Sequence, residues 1–129
     1  MRIEHVAVWT KNLERLKEFY TIYFGARANS KYINPNKEFE SYFLSFSSGT
    51  RLELMWSPKV ADLTKNSGFE SVGYAHLAFS VGSREQVERV TAHLEEARYI
   101  VTSKPRSTGD GYYESVVLDP DGNRIEITI

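Results

Sequence analysis

"HLAFSV", residues 76–81, decides the fold, because the chain has already written it once as "HVAVWT" at residues 5–10. Each word opens on a histidine and continues as a strand-like apolar run. Seven residues after each histidine stands a residue of helix N-cap type, Asn12 and Ser83. The side-chain oxygen of such a residue satisfies a free N–H of the first helical turn. Ser83 also has Gln86 three residues on, the spacing of a capping box.

Beyond the caps both copies read as amphipathic helices. Leu13, Leu16, Phe19, Tyr20, Tyr23 and Phe24 share one broad face, and Gly25 ends the run, as a residue free to turn left-handed does. Val87, Val90 and Leu94 make the matching face in the second copy. Three strand candidates follow each helix: 26–33, 40–47 and 51–56, then 99–104, 112–118 and 123–129. The last of each set carries one signature, "RLEL" at 51–54 and "RIEI" at 124–127. His5 precedes Glu53 by 48 residues, and His76 precedes Glu126 by 50. Histidine, cap and glutamate thus agree at matched offsets. The predicted fold class is α+β, two tandem βαβββ modules at 1–57 and 72–129 within one structural domain. The stretch 58–71, with Pro, Gly, Ser, Asn and mixed charge, is the linker.

Strand alternation sorts the side chains. Val6 and Val8 oppose His5, Ala7 and Trp9; Leu77 and Phe79 oppose Tyr74, His76, Ala78 and Ser80. In the closing strands Leu52 and Leu54 oppose Glu53, and Ile125 and Ile127 oppose Glu126. The aliphatic sides belong against the helices. His5, Glu53, His76 and Glu126 are therefore all expected on the other faces, where they converge if the sheets curl around a common concavity.

Two imidazoles and two carboxylates make a ligand set for one divalent ion: Ni, Zn, Co, Mn or Fe. A cation also answers an energetic difficulty, since a shielded carboxylate without a partner is costly. The chain has no cysteine, which excludes disulfides, thiolate metal sites and cysteine nucleophiles. With 16 basic and 17 acidic residues it offers no field for a phosphate backbone, and nucleic acid is not an expected partner. No stretch reads as a signal peptide or a membrane span, so a cytoplasmic location and no membrane partner are expected.

Trp9, Met55 and Tyr74 are candidates to line an apolar substrate pocket. In "RSTGDGYYESV", 106–116, Gly109 and Gly111 suggest a mobile loop entering a strand, with Arg106, Tyr113 and Glu114 as candidate substrate contacts. His93, within the second helix, is assigned no role.

"HVAVWTKNLERLKEFY" (5–20), "GYAHLAFSV" (73–81) and above all "LDPDGNRIEI" (118–127) resemble the vicinal oxygen chelate superfamily of glyoxalase I, bleomycin-resistance proteins, extradiol dioxygenases and methylmalonyl-CoA epimerase. The resemblance covers essentially the whole chain. In the last stretch Pro120 and Gly122 suit a tight turn that sets the register of the final strand. The resemblance implies curled mixed sheets forming a metal-containing cup, a small-molecule substrate and a homodimer, in which the site lies within one chain or is shared between two.

The order His5, Glu53, His76, Glu126 looks like the bacterial glyoxalase I type. That implies an enediolate reaction on a small α-oxo compound or its thiol hemithioacetal, with Glu126 as the first candidate for the base and Glu53 the second. Bacterial glyoxalase I commonly has a glutathione-binding arginine four residues after the first histidine, where this chain has Trp9. The thiol is thereby left open. Two other classes also stay open. One is a further metal enzyme of the scaffold, an epimerase or a dioxygenase; the other is a metal-free protein that binds a small toxic molecule or antibiotic.

Overall fold

A computed structural model describes residues 1–47, 49–62, 70 and 72–129. The chain divides into two compact units, Met1–Lys65 and Asn66–Ile129. Both are α+β, each a mixed sheet with one helix.

The first unit runs β1 (His5–Trp9), α1 (Leu13–Phe24), β2 (Arg27–Ala28), β3 (Tyr32–Asn34), a 3-10 turn (Pro35–Lys37), β4 (Phe39–Ser45) and β5 (Arg51–Trp56). Its strand order is β1-β5-β4-β2, with β3 also on β4; β1 is parallel to β5 and the other pairings are antiparallel. Asn12 caps α1 by accepting from the Arg15 N–H at 3.0 Å, and Gly25 closes it at φ 64°. Leu13, Leu16, Phe19 and Tyr20 are buried from α1, and Leu44, Leu52 and Leu54 from the strands. Tyr23 and Phe24 reach the boundary only.

The second unit runs β6 (Leu77–Ser80), α2 (Arg84–Glu96), β7 (Val101–Ser107), β8 (Tyr113–Leu118) and β9 (Arg124–Thr128). Its order, β6-β9-β8-β7, repeats that of the first sheet, again with the opening strand parallel to the closing one. Val87, Thr91 and Leu94 of α2 are buried, with Val117, Ile125 and Ile127 from the sheet. Ser83 caps α2 by accepting from the Gln86 N–H at 3.3 Å. The Gln86 side chain accepts from Arg89 instead of completing a reciprocal capping box.

Three expectations are revised. The strand expected at 26–33 is broken into β2 and β3, because Asn29 Oδ1 accepts the Phe43 N–H at 2.8 Å and a side chain takes a ladder position. The strand β6 begins at Leu77, so His76 and Tyr74, expected within it, precede it. The strand expected to end at 104 continues to Ser107. Pro105 is tolerated because β7 is an edge strand whose register shifts between Ser103 and Arg106. The loop expected around Gly109 and Gly111 is the turn at 108–112, which enters the strand expected over 112–118 at Tyr113. Of the linker 58–71, residues 63–69 and 71 lie outside the described residues. Among the described residues no helix is long and apolar enough to cross a membrane.

Candidate metal and substrate site

Parallel pairing brings the two ends of each module together. In the first unit Ala7 lies opposite Glu53 and His5 opposite Arg51, so His5, Ala7, Trp9, Arg51, Glu53 and Met55 share the face turned away from α1. Leu52 and Leu54, on the alternate positions, are buried. In the second unit Ala78 lies opposite Glu126, with Ile125 and Ile127 buried on the alternate side. One face of each sheet builds the core and the other is left for chemistry.

On those free faces His5 Nε2 lies 3.8 Å from Glu53 Oε2, and His76 Nε2 lies 3.4 Å from Glu126 Oε2. Both separations exceed an ordinary N–H···O hydrogen bond. Ligands about 2.0–2.2 Å from a shared ion stand roughly 3.0–3.4 Å apart; the second pair lies at the upper end of that range and the first is a few tenths of an ångström wider. The carboxylates are largely shielded, at 15% and 18% side-chain exposure, whereas the imidazoles stay open at 40% and 45%. Among the described residues neither Glu53 nor Glu126 has a lysine or arginine counter-ion. A shielded carboxylate beside an imidazole nitrogen, without a lysine or arginine partner among the described residues, is chemistry that suits a cation. The donor sets therefore fit a divalent ion, two donors to a module. Among the described residues no cluster of three or more His, Asp or Glu able to hold a metal occurs.

Each pair has its own surroundings. His5 Nδ1 meets Glu4 Oε2 at 2.5 Å, and the imidazole stands edge-on to Phe43 at 5.4 Å. Arg51 lies over the Phe43 ring, 4.3 Å from its centre, and binds Glu4 through Nε at 2.9 Å and through Nη2. Those two bonds hold the Glu4 carboxyl below the usual carboxylate range, the His5 contact contributing most and Arg51 next. Around Glu126 the neighbour is another acid. Glu114 is pushed up by burial first, then by the charge of Glu126 and a hydrogen bond to it. Arg106 Nη2, at 3.5 Å from Glu114 Oε1, partly offsets this.

The remaining candidates divide. Trp9 and Met55 are register partners on the free face, and Phe39 stands edge-on to Trp9 at 6.0 Å. Tyr74, expected with them, is fully exposed outside any strand and belongs to the other unit. Arg106 and Glu114 are register partners. Tyr113, expected beside them, turns to the helix side: its hydroxyl donates to Glu88 Oε1 at 2.8 Å and Arg84 covers its ring. Alternation along β8 requires this, since Tyr113 and Glu114 are neighbours on one strand. Glu4, Phe39, Phe43 and Asp119 went unremarked in the sequence. The carboxylate of Asp119 accepts from the N–H groups of Asp121 and Asn123 and from the Asn123 amide, and so shapes the turn into β9.

Comparison with known proteins gives these geometries a context. The model of the Glyoxalase/Bleomycin resistance protein/Dioxygenase superfamily matches residues 2–127. A lactoylglutathione lyase of Arabidopsis thaliana is 30% identical over 98% of this chain, which spans only 43% of that relative's length. A Vibrio cholerae protein named "Probable lactoylglutathione lyase" is 29% identical over 98% of this chain and 88% of its own. Among solved structures, the trypanothione-dependent glyoxalase I of Leishmania major superposes with a TM-score of 0.76 at 25% identity, over 99% of this chain and 86% of that one.

Proposed function

The chain belongs to the glyoxalase/bleomycin resistance protein/dioxygenase superfamily, and from that premise we propose that it is a divalent-metal-dependent, glyoxalase I-like lyase or isomerase. Its substrate is a small α-oxo compound or the hemithioacetal that such a compound forms with a thiol, converted through an enediolate. The single observation that carries this reading is the matched pair of imidazole–carboxylate contacts, His5 with Glu53 and His76 with Glu126. The relatives' names, two of them lactoylglutathione lyases, support it.

His5, Glu53, His76 and Glu126 are the proposed ligands, one pair from each module, drawn from one chain or from two copies in a homodimer. When bound, the ion supplies positive charge that stabilises the oxyanion left as a proton leaves carbon beside a carbonyl. The protein's own groups do the rest. Glu126 removes and returns that proton, with Glu53 as the alternative carrier. Glu114 sits against Glu126, and its raised proton affinity lets it donate a hydrogen bond to the Glu126 carboxylate. Trp9, Met55 and Phe39 shield the reacting carbon from water on the first module's free face. Arg106 balances the acidic pair.

Trp9 at the fourth position after His5 offers no charge to a glutathione carboxylate. The thiol is therefore proposed to be less charged than glutathione. An isomerisation assay with methylglyoxal and phenylglyoxal hemithioacetals, formed from glutathione and from neutral thiols in the presence of nickel or zinc, tests the reading. Metal-dependent turnover with at least one adduct is expected. No turnover with any thiol or added metal would overturn it.

A further inference from the structure

We propose that Glu4 is a positioning residue for His5: its carboxylate takes the Nδ1 hydrogen bond and leaves Nε2 unprotonated, aimed at a cation beside Glu53. This rests on the metal reading above and adds a residue to it. Glu4 comes just before β1, where strict strand alternation has not begun, so its side chain reaches that of its neighbour at 2.5 Å. An imidazole whose Nδ1–H is donated to a carboxylate is locked in one tautomer and one orientation, and its other nitrogen becomes the better donor to a metal.

The arrangement is held from behind. Arg51, the register partner of His5, grips Glu4 through Nε and Nη2. The Glu4 carbonyl oxygen accepts the Arg51 N–H at 3.2 Å, which ties the backbone of the two residues as well. Phe43 meets the imidazole edge-on and stacks under the guanidinium. The ring of His5 is thus held by Glu4 at Nδ1 and by Phe43 on its flank, with Glu53 3.8 Å ahead of Nε2.

Among the described residues the second module lacks this device. Ala75 precedes His76, and Arg124, which stands in the place of Arg51, binds Glu70 at 2.7 and 2.8 Å. Among the described residues the polar partner of His76 is Glu126. The two imidazoles of an otherwise matched set are consequently unequal: His5 is oriented before any ion arrives, and His76 is oriented by it.

The test is imidazole nitrogen NMR on the full chain near pH 8, where histidine is neutral. It is done metal-free and zinc-loaded on the native protein, Glu4→Ala and Glu4→Gln, with zinc affinity measured by chelator competition. Metal-free His5 should show the Nδ1–H tautomer and His76 should not. Glu4→Ala should lose that tautomer preference and weaken zinc binding by about 10- to 100-fold. Glu4→Gln, whose amide oxygen still accepts, should recover part of both. An Nε2–H tautomer for metal-free His5, or unchanged zinc affinity in Glu4→Ala, would overturn the role of Glu4. If zinc failed to bind the four donors at all, the metal reading would fall, and the metal-free tautomer would still decide what Glu4 does to His5.

Discussion

Nε2 of His76 lies 3.4 Å from Oε2 of Glu126, across the parallel seam between the start of the second module and its last strand. The same relation joins His5 to Glu53 at 3.8 Å in the first. A βαβββ unit places its opening and closing strands side by side, so residues nearly fifty apart become neighbours twice over. Each pair offers one nitrogen and one oxygen, and neither pair alone fills the coordination of a transition ion.

Glu126→Gln removes the proposed base while keeping shape and most polar contacts. Turnover should fall by about 100-fold or more, with far-UV circular dichroism unchanged. A variant that keeps native kcat would remove Glu126 from the proton-transfer step.

Asp119 is buried and organises the turn before β9 through three accepted hydrogen bonds. Asp119→Ala leaves those donors without their partner, and a loss of about 1–3 kcal/mol in urea unfolding is expected. Because β9 carries Glu126, turnover should fall as well. Native stability in this variant would show that Pro120 and Gly122 hold the turn unaided.

Thr91 and Ser115 share a 2.6 Å hydrogen bond inside the second unit, where both are buried. Thr91 has one hydroxyl proton and gives it to the Val87 carbonyl, so Ser115 is the donor to Thr91. Thr91→Val should strand the Ser115 hydroxyl and cost about 1–3 kcal/mol. Thr91→Val with Ser115→Ala should recover much of that loss. Equal stability of the single and double variants would contradict the pairing.

Glu14 is lowered to about 2, first by Lys17, then by Lys31, with Tyr42 also donating to it. A carboxyl depressed in the folded state contributes stability that is present above its unfolded value of 4.5 and lost as pH falls toward about 2. The Glu14 side chain is 53% exposed, so solvent screening keeps the contribution to about 1 kcal/mol or less. The Tm difference between native protein and Glu14→Gln should shrink steadily between pH 5 and pH 2, and should shrink at neutral pH when salt is added. A difference that grew on acidification would refute the assigned sign.

Much of this architecture was legible in the sequence because strands tie facing to position. Ile125 and Ile127 could be buried only if Glu126 pointed away from them, and the matched offsets of His5 and His76 fixed which strands close each module. Asn12, Ser83 and Gly25 marked helix ends because their local chemistry acts within a few residues. What escaped depended on breaks in that regularity. Asn29 replaces a ladder bond with its side chain and splits a strand. Glu4 reaches His5 because the strand has not yet begun there. Tyr113 and Glu114 cannot both meet the substrate, because 113–118 is a strand, as expected over 112–118, and neighbours on one strand face opposite ways.

The most direct measurement is the metal content and binding stoichiometry of the purified protein after nickel or zinc loading, compared with His5→Ala, Glu53→Ala, His76→Ala and Glu126→Ala. One ion per chain in the native protein, and weakened or lost binding in all four variants, is the expected result. Undiminished binding when either histidine–glutamate pair is replaced, or no bound ion in the native protein, would contradict joint ligation by the two modules.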